Sequence, residues 1–262
     1  MQALHEYHIV WIDSCFMEAA RTIRLSVERV VQLRGAEAAL PGLRDAVHAV
    51  KHLQGRRFAG TYADILAGGP YAPAARFFLD ELYGDRDFAE RDEQFARIAG
   101  AIEKFFPDLV VQTAVNLSKL HALTEDLDHA MGLRWMDMSA TPPEAKRYVQ
   151  AWRAVQRRNE RMTQLSDVLA IGEEMARLTR TTGLRTMLKM MRAPAAAAGL
   201  GSLQRFLESG FDTFSAMARG GLAPGFLRTV EQRESALISS LFDAPIVASE
   251  TQLAALLLGQ AP

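Results

Sequence analysis

A single cysteine, Cys15, occurs in 262 residues, which excludes an intramolecular disulfide framework and any cysteine-rich zinc site. Such scarcity fits a reducing compartment. No 18 consecutive uncharged apolar residues occur, so a membrane-spanning helix is not expected. Asp13 and Glu18 interrupt the first apolar stretch, and no basic segment precedes it; we therefore expect no secretory leader and a soluble, cytoplasmic protein. Neither sign of charge is in excess, with 30 Lys and Arg against 31 Asp and Glu. A global basic field of the kind that gathers nucleic acid or anionic membrane is thus missing, and a nucleic-acid partner is not expected. Gly-x-Ser-x-Gly, phosphate-loop and His-Glu-x-x-His patterns do not occur, and Gly199-Leu200-Gly201 lacks both a preceding strand and the rest of a dinucleotide fingerprint.

What is present is ample apolar material, 49% of the residues, and it recurs at helical spacing. Ile12, Phe16, Ala19, Ile23, Val27 and Val30 step by three or four toward Gly35, which reads as a stop. Leu43, Val47, Val50 and Leu53 repeat the pattern, and Gly68-Gly69-Pro70 breaks it. Pro107 introduces a helix reaching about Met131, and Thr141-Pro-Pro-Glu144 has the form of a capping box opening a long helix toward Thr181, bent near Gly172. Ser249 reads as the cap of a last helix. Alternating β-branched runs are missing. The expected fold is all-α, a multi-helix, bundle-like globule of about nine to eleven helices. Its halves, 1–137 and 138–262, are expected to share one core, because the intervening breaks are too short for flexible linkers.

Between Ala75 and Gly84 runs Arg-Phe-Phe-Leu-Asp-Glu-Leu-Tyr, and Asp87 with Glu90 resembles a capping box for a following helix. Phe77 to Tyr83, FFLDELY, resembles the signature of the uncharacterised bacterial FFLEELY motif proteins. The resemblance extends through Thr61–Asp64, Leu120–Asp128, Met191–Pro194 and Gly199–Phe211. It names relatives and implies no activity.

Two Asp-x-x-His pairs, Asp45 with His48 and Asp126 with His129, have the spacing of di-iron ligands in helical bundles. A helical projection turns Asp45, His48 and His52 toward solvent and places Asp126 and His129 outside the apolar arc of their helix. The same projection puts His121, Glu125 and Asp128 at about 40°, 80° and 20° from Leu117, at the border of the apolar face. Glu81 falls at about 300° from Phe78, between apolar neighbours. Glu81, His121, Glu125, Asp128 and Tyr62 are accordingly the candidate buried polar residues, with His121, Tyr62, Tyr71 or an arginine such as Arg57 or Arg91 as candidate partners for Glu81. Glu81, His121, Glu125 and Asp128 are also candidate ligands for one divalent metal; no other cofactor is evident.

Met191, Phe206, Phe211, Phe214 and Met217 offer a second feature, an apolar stripe suited to a small apolar molecule or a partner protein's helix. A binding or interaction protein using that stripe is the first functional expectation, and a homo-oligomer is compatible with it. The alternative is a helical metalloenzyme or haem-oxygenase-like protein built on Glu81 and the His121 group. Arg153, Arg157, Arg158 and Arg161 form a basic stripe that Glu160, Asp167 and Glu173 dilute, so a solvated helix face is expected there. Cys15, beside Phe16, reads as a small core side chain.

Overall fold

The computed structural model describes residues 2–81, 89–138 and 143–259, with side chains from residue 18 onward apart from Phe105. The expected caps at Asp87 and Thr141, the end of the FFLDELY stretch and the Cys15 side chain lie outside the described residues. Among those described there are thirteen helices and no strand. In order they are α1 (Gln2–Ala39), α2 (Leu43–Thr61), α3 (Ala63–Leu66), α4 (Ala72–Glu81), α5 (Ala89–Phe105), α6 (Asp108–Asp137) and α7 (Glu144–Val155). There follow α8 (Arg158–Leu178), α9 (Leu184–Met190), α10 (Arg192–Ala197), α11 (Gly201–Arg219), α12 (Ala223–Asp243) and α13 (Ile246–Leu257). The all-α expectation holds, and the helix count exceeds the expected nine to eleven because short α3 and α10 are separate turns.

The chain is organised on α6. Its 30 residues span roughly 45 Å at 1.5 Å per residue, and it packs on α1, α2, α5, α7 and α8. Pro107 opens it with Asp108 in the first turn, where a carboxylate complements the helix dipole. At Gly132 the α2 backbone comes so close that an added Cβ would sit 3.2 Å from the backbone N and Cα of Val47. Gly60 does the same for α13, facing the carbonyl of Leu256. The main core runs from Val50, Leu53 and Phe58 of α2 through Met131 and Trp135 of α6 to Phe226 of α12 and Leu253 of α13. Each such side chain contributes on the order of 1.5–3 kcal/mol by leaving water.

Several local expectations change. Helix α1 runs through Gly35 to Ala39, because Ala36-Glu-Ala-Ala39 are strong helix formers that outweigh one glycine. The turn comes at Gly42, whose φ of 84° is left-handed. The long helix from Glu144 breaks at Gln156, φ 54°, and not near Gly172. A left-handed non-glycine residue costs about 1–2 kcal/mol, offset here by tertiary contacts: Arg157 pairs with Asp126 and Arg158 with Asp243 immediately after the break. Ser249 is not a cap. Helix α13 starts at Pro245–Ile246, and the buried Ser249 hydroxyl donates across to the carbonyl of Ser240, 2.7 Å away.

Candidate functional site

A cavity of about 190 Å³ opens where nine helices meet. One water needs roughly 10–15 Å³ by the same measure, so the space suits a small molecule. Four of them present stripes at three- or four-residue spacing: Lys51, Gln54 and Phe58 from α2; Leu117, His121, Thr124 and Asp128 from α6; Arg161, Leu165 and Val168 from α8; Leu203, Phe206 and Leu207 from α11.

One side of the cavity is charged. Lys51 Nζ donates to both carboxylate oxygens of Glu125, at 2.7 and 2.8 Å. Arg57 Nη1 donates to both oxygens of Glu234, at 2.6 and 2.9 Å, and the Tyr62 hydroxyl donates to the same carboxylate at 3.1 Å. Arg91 reaches Glu81 at 3.4 Å, and Asp92 accepts from Arg34 at 2.7 Å while lying 2.9 Å from His121 Nε2. Gln54 donates to Asp128 at 2.9 Å. Burial pushes the Asp128 carboxyl above its ordinary value, with Glu125 nearby adding to the effect. Burial alone would lower the Lys51 pKa, but Glu125 and Asp128 outweigh it and hold the ammonium above its usual range. Asp92 goes the other way: burial opposes ionisation, yet His121 and Arg34 hold the carboxyl below its ordinary value. Tyr148, buried beside the same groups, is pushed up to about 12, mainly by burial.

The lining also holds an apolar, aromatic group. Phe206 stacks on Phe77 with ring centres 6.0 Å apart, and the Arg91 guanidinium lies 4.4 Å over the Phe206 ring. Phe78 lines the cavity and sits among Phe58, Phe214 and Phe226. The described part of the FFLDELY segment therefore supplies both an aromatic hub and, through Glu81, one acidic group of the wall. Asp80 and Arg76 are exposed.

Glu81, His121, Glu125 and Asp128, which lie on two helices far apart in sequence, all line this one cavity. Tyr62 is fully buried behind it and orients Glu234. The carboxylates are divided among separate cationic partners, and no group of three or more His, Cys, Asp or Glu side chains among the described residues is arranged to hold a metal ion. Of the apolar stripe only Phe206 lines the cavity. Phe214 and Met217 pack in the main core, Phe211 packs with Leu178 and Leu184, and Met191 is exposed. The five residues do not form one groove, because α11 packs against α4, α5, α8 and α9 around much of its circumference.

The arginine stripe is a solvated face only at Arg158, which is exposed; the other three are partly or fully buried. Arg153 donates to the carbonyls of Leu241 and Ala244, Arg157 to Asp126, Arg158 to Asp243, and Arg161 is buried at the cavity. The break at Gln156 turns these residues toward different neighbours. Asp45, His48 and His52 are exposed, as the helical projection has them. Asp126 and His129 are half-buried instead, paired with Arg29 and Arg157 and with Glu37, because α6 is packed on several sides. Lys51, Gln54, Arg161, Trp152 and Glu234 escaped the reading of the sequence as site residues. A signal existed on α2: measured from Leu43, Gln54 and Arg57 fall at about 20° and 320°, polar groups on the core-facing arc.

These features define an all-α protein built around a cavity lined by both charged pairs and aromatic rings. Residues 33–246 match a family described as a domain of unknown function, DUF8198, and the chain belongs to that family. Neither the curated proteins nor the solved structures give a significant match. No helix among the described residues is long and apolar enough to cross a membrane.

Proposed function

We propose that this protein is a cytoplasmic binding protein whose ligand is a small amphipathic molecule seated in the central cavity. The observation that carries the reading is the cavity itself: about 190 Å³ lined by aromatic rings and by hydrogen-bonded charged groups, the combination that gives small-molecule sites both affinity and orientation. A core whose only task is stability fills such space, since interiors pack at crystal-like density. The wall groups are also pre-oriented by ion pairs, which reduces the ordering cost of binding. In this reading the FFLDELY segment, taken as the signature of FFLEELY-type relatives, builds the aromatic wall through Phe77 and Phe78 and anchors Arg91 through Glu81.

Native mass spectrometry of the full chain purified without chelator tests this. The expected result is an organic adduct that disappears in Leu207→Trp, which fills the apolar side. A bare protein with no adduct and no uptake of small apolar probes would overturn it. The same spectrum reports the oligomeric state and tests the alternative of one divalent metal at Glu81, His121, Glu125 and Asp128. That alternative requires a metal mass lost in both Glu81→Ala and His121→Ala, because those carboxylates would have to leave Arg91 and Lys51 for the metal.

A further inference from the structure

Among the ion pairs that line the cavity, that of Arg161 with Asp128 is the one longer than hydrogen-bond distance. Glu125 has Lys51, Glu234 has Arg57, Glu81 has Arg91, and Asp92 has Arg34 and His121. Arg161 is 6% exposed and lines the cavity, yet its guanidinium donates only from Nη1, to Gln164 Oε1 at 3.0 Å. The nearest carboxylate, Asp128, lies 3.9 Å from Nη2, beyond hydrogen-bond reach. Arg161 Nη2 is buried with no hydrogen-bond partner among the described residues. So is Nε1 of Trp152, the indole over which that guanidinium lies, 4.3 Å from the ring centre. Two adjoining lining residues thus each carry a buried donor with nothing to accept from it. Buried donors are almost always satisfied, and leaving one unmet costs about 1–3 kcal/mol, more for a charged group.

Building on the reading of the cavity as a ligand site, we infer that the ligand is a small monoanionic amphiphile, a carboxylic acid with an apolar tail, whose carboxylate is bound by Arg161 and Trp152. The guanidinium is a planar fork matched to a carboxylate, and the indole N–H adds a neutral donor beside it. Leu165 and Val168, on the same helix as Arg161, lead toward Phe206 and Leu207, where the tail is housed. A monoanion is favoured over a phosphate monoester, which carries about −1.5 to −2 charge at neutral pH, because Glu125, Asp128, Glu81, Asp92 and Glu234 line the same cavity.

The experiment is isothermal titration of the full chain with octanoate and, separately, with octan-1-ol, which has a tail of similar length and no charge. Wild-type protein is expected to bind octanoate on the order of tenfold to a hundredfold more tightly than octanol, the range of one charge-assisted contact. Arg161→Gln is expected to bring octanoate to the level of octanol while leaving octanol unchanged, and Arg161→Lys to recover part of the difference. Equal binding of acid and alcohol by wild-type protein would overturn the acid assignment and leave the cavity reading standing. Binding of neither would overturn both. A preference for octanoate that survives Arg161→Gln would place the acid elsewhere and also overturn the assignment. Should Arg161→Gln not fold, Trp152→Phe keeps the ring and removes only the N–H; a severalfold loss confined to octanoate is expected, and an equal loss for both probes refutes the assignment.

Discussion

Replacing Arg57 by Met removes the cation from a pair that joins α2 to α12 across 177 residues of sequence. The two side chains are 8% and 12% exposed, with nitrogen–oxygen distances of 2.6 and 2.9 Å. Methionine replaces the aliphatic stem, so little packing is lost, but Glu234 loses its cation and keeps the hydrogen bond from Tyr62 at 3.1 Å. Stranding one partner of a buried pair costs about 3–5 kcal/mol, a large part of the 5–15 kcal/mol typical of a folded protein. At about 2–4 °C per kcal/mol for a chain of this size class, the midpoint should fall by roughly 10 °C. The assay is urea unfolding followed by circular dichroism, with an unchanged slope showing that stability and not the extent of unfolding has moved. The double variant Arg57→Met/Glu234→Leu should regain most of the loss, because no charge is then stranded. A loss under about 1 kcal/mol in the single variant, or a double variant no more stable than the single, would refute the reasoning.

Gly60→Ala should destabilise by more than the 1–3 kcal/mol usual for overpacking, because its Cβ meets the Leu256 backbone carbonyl and not a side chain that can rotate away; protease protection of α13 should fall with it. Gly132→Ala, which crowds Val47 of α2, should cost about 1–3 kcal/mol in the same urea assay. Asp128 governs a pH dependence. Its folded pKa is raised by burial, so between the unfolded value near 3.9 and that higher folded value the folded state binds more protons, and stability falls as pH rises. Asp128→Asn should therefore gain on wild type as pH is raised through that window, and a difference independent of pH would contradict the assignment. Asp92, held low chiefly by His121 and Arg34 against the cost of burial, has the opposite sign. It contributes stability present above about 3.9 and lost as pH falls through its folded value, so Asp92→Asn should flatten the acid limb of the stability curve.

How far the site was legible depended on what each signal can carry. Helical phase is local: it depends on a fixed rotation per residue, and so His121, Glu125 and Asp128 could be grouped on one flank of α6, and Glu81 set between Phe77 and Phe78 on α4. Phase says nothing about which helix lies opposite. The pairing of Glu125 with Lys51, of Glu81 with Arg91 and of Glu234 with Arg57 joins helices 10 to 177 residues apart, and no spacing rule reaches across such separations. The apolar stripe of α11 could not be divided between core and cavity for the same reason. Phe206, Phe211 and Phe214 share a periodicity, while the helices packed around α11 determine which ring meets open space.

Sequence by itself determined that the chain is helical, through residue propensity and three-to-four spacing, and that no cysteine framework or long apolar span shapes it. Both are properties of composition and of neighbours within a few residues. Only the tertiary structure decided that the chain turns at Gln156 without glycine or proline, and that Arg161 leaves the expected solvent face to lie over Trp152 at the cavity lining. In each case the local preference amounts to about 1–2 kcal/mol or less. Burial and ion pairing between distant helices outweigh it, and they exist only once those helices have packed together.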